Sequence, residues 1–270
     1  MSTSRRDGFD FDVSRWPALP AGRGLFITGT DTGVGKTLIA GAIADYLHNK
    51  GWNVEVFKPV ATGCRRGGGG QLISEDAEFL AACADSPRAL AEIAPVRYSL
   101  PAAPNVAASL TGQPLDLKVI FDGYTEMVAG GKAIIVEGIG GLLCPITDEL
   151  WVVHLARIMA LPVVIVARAG LGAINDALLT LHAARSAGLD VAGVVINRYL
   201  VEPGKPDIPT ETSPDQIAAL GEVKILAIVG EDAESSVPND RLGESTKFAI
   251  AQVDWHRLMT RTRRAPDQAS

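Results

Sequence analysis

Apolar residues fall into two rhythms along the chain. Short β-forming runs occupy Gly24–Thr28, Asn53–Pro59, Ala133–Glu137, Pro162–Ala167, Val191–Asn197 and Lys224–Val229. Between them, apolar positions recur at helical spacing over Lys36–Asn49, Glu75–Ala84, Leu117–Val128, Leu150–Met159, Ile174–Ala187 and Thr212–Leu220, with a last amphipathic stretch over Thr246–Thr260. The runs at 133–136 (Ala-Ile-Ile-Val) and 162–167 (Pro-Val-Val-Ile-Val-Ala) are apolar on both faces. A strand needs that pattern when helices cover both its sides, so the sheet should be parallel and buried. Strands alternating with helical connections predict an α/β fold: a doubly wound, mainly parallel sheet with helices on both faces.

The flanks read differently. Residues 1–23 are polar and punctuated by Pro and Gly, with Asp7, Asp10 and Asp12, and predict a poorly ordered extension, with Trp16 docked on the body. They lack the apolar region of a signal peptide, and their acids do not suit a transit peptide. Residues 24–260 show no repeat and no break in composition, and predict a single domain. Residues 261–270 read as a basic, disordered tail. Gly67–Gly70, beside Arg65 and Arg66, reads as a flexible loop.

Composition narrows the function. With 47% hydrophobic and 21% charged residues the chain is globular. Its best apolar run, Met159–Ala167, has 9 residues, about half of the ~18 a spanning helix needs. A net charge of −6 argues against nucleic acid as a partner. Three cysteines without CxxC spacing read as reduced thiols of a cytoplasmic protein, not as a zinc site.

The chemistry begins at 29–37, Gly-Thr-Asp-Thr-Gly-Val-Gly-Lys-Thr, between an expected strand and an expected helix. In that setting a glycine-rich turn wraps phosphates with inward N–H groups, helped by the helix dipole. Gly33, Val34 and Gly35 form the cradle, Lys36 reaches the β- and γ-phosphates, and the Thr37 hydroxyl faces Mg²⁺. The usual first glycine of such loops is displaced: Thr30 stands at its position and Gly29 one residue earlier.

Other strand ends supply candidates. Glu137 precedes Gly-Ile-Gly-Gly and suits a second acidic contact to Mg²⁺. Asp76 opens a helix, where an acid is equally a first-turn residue favoured by the dipole. Lys58, held by Pro59, points to the same end of the sheet, although a surface lysine is the plainer alternative. Asn197 ends its strand and either reads a base edge or turns the chain. His48, His154, His182 and His256 lack ligand spacing and read as helix-surface residues. Cys144, next to Pro145, reads as a buried thiol and not as a nucleophile.

Four motifs in this order, Gly-Thr-Asp-Thr-Gly-Val-Gly-Lys-Thr, Lys-Pro-Val-Ala-Thr-Gly, Val-Glu-Gly-Ile-Gly-Gly and Gly-Leu-Gly-Ala-Ile-Asn, resemble dethiobiotin synthetases from about Gly24 to Asn197. The resemblance implies a cytoplasmic, ATP- and Mg²⁺-dependent ligase of biotin biosynthesis. Such an enzyme closes a ureido ring from 7,8-diaminopelargonic acid and CO₂ or bicarbonate, as a homodimer. It implies Lys58, Lys36 and Thr32 as catalytic residues and Thr37, Asp76 and Glu137 around the metal. It further implies Asn197 on adenine, and Thr62 and Gly140 against the diamine. Gly172, Ala173, Ile174 and Asn175 would bind the substrate carboxylate from the partner subunit. Gly33 stands where a glutamate is frequent in part of the family, and Ile-Val-Gly-Glu-Asp at 228–232 replaces its usual Gly-x-Ile-Pro turn.

Two rivals remain. The amidating synthases of corrinoid formation carry a glutaminase domain with a Cys–His pair, for which this chain is too short. A partitioning or site-selection ATPase has an extra lysine early in the loop, absent at Thr30–Thr32. It also ends in a membrane-surface helix, for which Phe248, Ile250, Val253, Trp255 and Leu258 with Arg257, Arg261, Arg263 and Arg264 are candidates. Packing of that helix on the sheet, with a solvated basic tail, is the preferred reading.

Overall fold

The computed structural model describes residues 10–260. The basic stretch at 261–270, with Arg261, Arg263 and Arg264, and the first nine residues of the N-terminal lead lie outside them. The strands are β1 (Arg23–Gly29), β2 (Val54–Phe57), β3 (Val60–Ala61), β4 (Arg65–Arg66), β5 (Leu72–Ile73), β6 (Val96–Arg97), β7 (Ala133–Glu137), β8 (Val163–Arg168), β9 (Val191–Tyr199) and β10 (Ile225–Gly230). The helices are α1 (Lys36–Asn49), α2 (Glu75–Cys83), α3 (Leu90–Ile93), α4 (Pro104–Thr111), α5 (Leu117–Val128), α6 (Val152–Met159), α7 (Ala173–Ser186), α8 (Ile208–Gly221), α9 (Glu244–Ala251) and α10 (Trp255–Thr260).

Six strands form one parallel sheet in the order β10-β9-β8-β1-β7-β2. All six expected strands are in it. The period of two along each strand divides the core. Phe26, Ile134, Val136 and Ile165 face one layer with α5, α6 and α7. Leu25, Ile27, Ile135, Val164 and Val195 face the other, with α1, α2 and Trp255. This is the doubly wound arrangement that two-sided apolar strands require.

Several local expectations are corrected. The last amphipathic stretch is two helices, not one. Asp254 caps the second through the Arg257 N–H, at 3.0 Å, and the Trp255 indole N–H donates to the Ile250 carbonyl, at 2.8 Å. Ile250, Val253 and Trp255 are buried against the sheet, while Phe248 is exposed. Helix α8 starts at Ile208 instead of Thr212, because Asp207 caps the Thr210 N–H, at 3.1 Å. Pro214 lies inside α8. The Thr210 carbonyl that Pro214 leaves without an N–H donor accepts from the Ser213 hydroxyl, at 3.2 Å. The glycines at 67–70 turn a short hairpin that pairs Arg65–Arg66 with Leu72–Ile73, and the Gly67 N–H donates to the Gln71 carbonyl.

Residues 10–22 run over α5 and α6. Trp16 packs on Phe121, with ring centroids 6.5 Å apart. His154 is buried, not on a helix surface. Its Nδ1 accepts the Trp151 N–H, which leaves Nε2 to donate to the Asp10 carbonyl at 2.7 Å. Among the described residues no helix is long and apolar enough to cross a membrane.

Candidate active site

The parallel sheet puts its strand carboxyl ends, and the loops that follow them, on one edge. β1 occupies the middle, flanked by β7 and β8. The glycine-rich loop leaves β1 at Gly29 and enters α1 at Lys36. Gly33 (φ +76°) and Gly35 (φ +96°) make its turn in a region that residues with a Cβ adopt only at a cost. Gly35 is also the N-cap of α1, so the first N–H groups of that helix open at the loop.

β2 pairs with β7 so that Phe57 is level with Val136. Lys58, one residue beyond β2, and Glu137, the last of β7, are therefore neighbours. The Lys58 ammonium lies 2.6 Å from Glu137 Oε1 and 2.8 Å from Asp76 Oδ2, and it donates to the Gly138 carbonyl at 3.2 Å. Asp76 comes from the first turn of α2, whose Ser74 cap accepts the Ala77 N–H. Thr37 Oγ1, in the first turn of α1, is 3.0 Å from Asp76 Oδ1 and 2.8 Å from Glu137 Oε1. Lys36, also nearly buried, donates to the Asp31 carbonyl at 2.9 Å.

These charges set one another. Burial pulls against the Lys58 ammonium, but the carboxylates of Asp76 and Glu137 outweigh it and hold the group protonated above the usual lysine range. Asp76 also resists burial: Lys58 and the Thr37 hydroxyl keep its carboxyl below the usual range. Glu137 is pushed up by burial, against the pull of Lys58. Burial and the nearby Lys58 charge lower Lys36. Two ammonium and two carboxyl groups thus share one pocket.

The cavity around them, about 630 Å³, is lined by Thr32, Gly33, Gly35, Lys36, Thr37, Lys58, Thr62, Asp76, Glu137, Gly140 and Asn197. The structure gathers these residues as one site, from five separate stretches of sequence. Val34 contributes its backbone: its side chain is buried, and its carbonyl accepts from Asn197 Nδ2 at 2.9 Å. Gly172, Ala173, Ile174 and Asn175 do not line this cavity; they start α7, with Leu171 beside them 87% exposed. The divergent stretch forms the far wall through Gly230, Glu231 and Asp232, followed by Ser235, Ser236, Val237 and Pro238. Arg198 and Ile139 line it too. Sequence reasoning pointed to the 228–232 stretch but missed Ser235 to Pro238, Arg198 and Ile139, although Arg198 directly follows Asn197 and Ile139 lies two residues beyond Glu137.

Cys144 stands next to the site. A Cβ on Gly140 would come 2.9 Å from its sulfur, and burial raises its thiol above the ordinary range. Cys64 is buried and likewise raised by burial.

The arrangement can hold a nucleoside triphosphate by its phosphates and a cation by its oxygens. Residues 23–239 match the family described as "AAA domain". An ATP-dependent dethiobiotin synthetase of Anaeromyxobacter sp. strain Fw109-5 is 38% identical over 76% of this chain and 92% of its own length. One of Thermodesulfovibrio yellowstonii is 35% identical over 88% of this chain and 98% of its own. The chain belongs to the dethiobiotin synthetase family.

The fold is wider than that family. A MinC:MinD cell division complex from Aquifex aeolicus is similar with a TM-score of 0.54 at 15% identity, covering 90% of this chain and 98% of that one. A ParA family ATPase from Chlorobium tepidum is similar with a TM-score of 0.52 at 15% identity, covering 87% and 98%. At that identity the likeness shows a shared P-loop fold alone.

Proposed function

We propose that this ATP-dependent ligase of biotin biosynthesis closes the ureido ring of dethiobiotin from 7,8-diaminopelargonic acid and CO₂ or bicarbonate. The observation that carries the reading is the meeting of Lys36 and Lys58 with Thr37, Asp76 and Glu137 in one cavity.

Mg²⁺ fits these residues. The Thr37 hydroxyl has one proton but two carboxyl neighbours, and Glu137 Oε2 is buried without a partner. An oxygen cluster short of protons is the ligand set of a hard cation. Among the described residues no three His, Cys, Asp or Glu gather for a metal. Two carboxylates and a hydroxyl suffice for Mg²⁺, which takes its other ligands from phosphates and water. Thr37, Asp76 and Glu137 would hold it, and it would supply charge neutralisation at the phosphates.

In this reading an amine of the substrate adds to CO₂ and gives a carbamate. ATP phosphorylates the carbamate, and the second amine displaces phosphate to close the ring. The protein positions and neutralises. Lys58 faces the carbamate, Lys36 the β- and γ-phosphates, and Thr32 the group in transfer. The amides of Gly33, Val34 and Gly35 cradle phosphate, and Asn197 meets adenine. Thr62 and Gly140 border the diamine. The start of α7, Gly172–Asn175, binds the substrate carboxylate across a homodimer interface, which accords with its absence from the lining of the cavity of its own chain. Residues 24–260 act as one domain, in the cytoplasm.

Purified protein with diaminopelargonate, bicarbonate, Mg²⁺ and ATP should release ADP only when the diamine is present. Release indifferent to the diamine would favour a switch ATPase, and no release would remove both readings.

A further inference from the structure

Asn197 does not end its strand, as the sequence suggested, but lies inside β9, two residues before Tyr199. Its side chain is 1% exposed, and its amide reaches across to the phosphate loop, where Nδ2 donates to the Val34 carbonyl at 2.9 Å. The contact with the loop is close: a Cβ on Gly35 would stand 2.0 Å from that nitrogen. The assignment of the two amide atoms follows from chemistry. A backbone carbonyl can only accept, so the group facing it is the NH₂, and Oδ1 is left as a buried acceptor with no partner.

The loop needs such a tether. Residues 31–35 belong to no helix or strand, and two of the five are glycines with positive φ. Within the loop, Thr32 N–H donates to the Asp31 side chain and Lys36 to the Asp31 carbonyl. Among the described residues, the Asn197 bond is the one that ties residues 31–35 to another strand of the sheet. It acts one residue before Gly35, the cap that aims the first turn of α1 with Lys36 and Thr37.

We propose that Asn197 is a positioning residue for the phosphate loop, acting through the Val34 carbonyl and Gly35, so that it governs phosphate binding even when no base is present. The proposal rests on the nucleotide reading of the cavity and extends it. One side chain then joins two subsites: NH₂ sets the loop, and Oδ1 remains for the base end.

A ligand with phosphates and no base separates this role from a base contact. The probe is inorganic tripolyphosphate with Mg²⁺, measured as a competitor of ATP in the ADP-release assay. Asn197→Ala should raise its inhibition constant roughly fivefold to tenfold, the effect of one lost hydrogen bond. Asn197→Leu, which keeps the bulk and removes the donor, should do the same. The KM for diaminopelargonate should stay near wild type in at least the leucine variant, which should remain cooperatively folded at the assay temperature. An unchanged tripolyphosphate constant alongside weaker ATP binding would reduce Asn197 to a base contact and overturn the proposal. A parallel loss of diamine binding and thermal stability in both variants would make its role generally structural and overturn it too. Failure of tripolyphosphate to compete in the wild type would show that the loop does not hold phosphates without a base and overturn the proposal, whereas no ADP release from ATP at all would strike the nucleotide reading itself.

Discussion

The Lys58 ammonium lies 2.6 Å from Glu137 Oε1, with the two side chains 3% and 1% exposed. The lysine follows β2 and the glutamate ends β7, 79 residues later, and the parallel register between those strands sets them side by side. Asp76 closes the group from a third element, at 2.8 Å. Removing one member of a buried charge set strands the others without compensation, which is far worse than exchanging the set for neutral groups.

Lys58→Met is therefore expected to abolish turnover and to destabilise the fold by about 3–5 kcal/mol. Pairing it with Glu137→Gln should recover part of that stability and none of the activity. Denaturant titration of the two single variants and the double variant reads the coupling. Strict additivity of the two losses would mean that the pair is not an interacting unit.

Asp232 gives the acid limb of stability a specific source. Burial is the largest single influence on Asp232 and pushes its carboxyl up, but the carboxylate accepts from the Thr246 hydroxyl at 2.8 Å, from the Thr246 N–H at 3.1 Å and from the Glu234 N–H at 3.1 Å. These bonds hold its carboxyl well below the usual range. A depressed carboxyl stabilises the fold above its unfolded pKa, near 4, and the contribution fades as pH falls through the folded value. Asp232→Asn should lower the melting temperature at pH 7 and leave a smaller further drop below pH 4 than wild type shows. Parallel curves across that range would refute the assignment.

Gly35→Ala should remove ATP binding. The position has φ +96°, and the new methyl would stand 2.0 Å from Asn197 Nδ2. Strain of about 1–3 kcal/mol falls on the loop and cap together. Calorimetric titration with ATP should show no heat of binding while the circular dichroism spectrum is kept. Wild-type affinity would show that the loop can re-form around a side chain.

His154→Ala should loosen the N-terminal lead without touching the chemistry. The imidazole accepts from the Trp151 N–H at 2.9 Å and donates to the Asp10 carbonyl at 2.7 Å, so its loss removes two hydrogen bonds of a buried side chain. A destabilisation of about 1–3 kcal/mol is expected. The KM for ATP should not change, because the residue does not line the cavity. Faster amide exchange confined to residues 10–16 and the start of α6 is the accompanying sign.

Legibility in the sequence varied with the range of the interaction. The six core strands could be read because two-sided burial leaves an uninterrupted apolar run, as at 133–136 and 163–167. The phosphate loop could be read because its glycines and Lys-Thr are contiguous. Helix α4, over Pro104–Thr111, could not be read, since a short helix with two buried residues carries a weak period. His154 was misread for a related reason: the carbonyl it serves lies 144 residues away, on a segment without regular structure. The break between α9 and α10 was also invisible, because the Trp255 indole bond that fixes it is made only once the helices are packed on the sheet.

The order of residues alone determined the strand–loop–helix unit at 29–37, the two-faced apolar strands and the four charged groups Lys36, Lys58, Asp76 and Glu137 of the site. Each of those depends on neighbours within a few positions, where backbone sterics and side-chain period act. Tertiary structure decided which of those groups meet. Strand register made Lys58 and Glu137 partners, the first turn of α2 brought Asp76 to them, and β9 carried Asn197 to Val34. Charge pairing and tethering of this kind depend on distance in space, which parallel pairing creates between residues that are far apart along the chain.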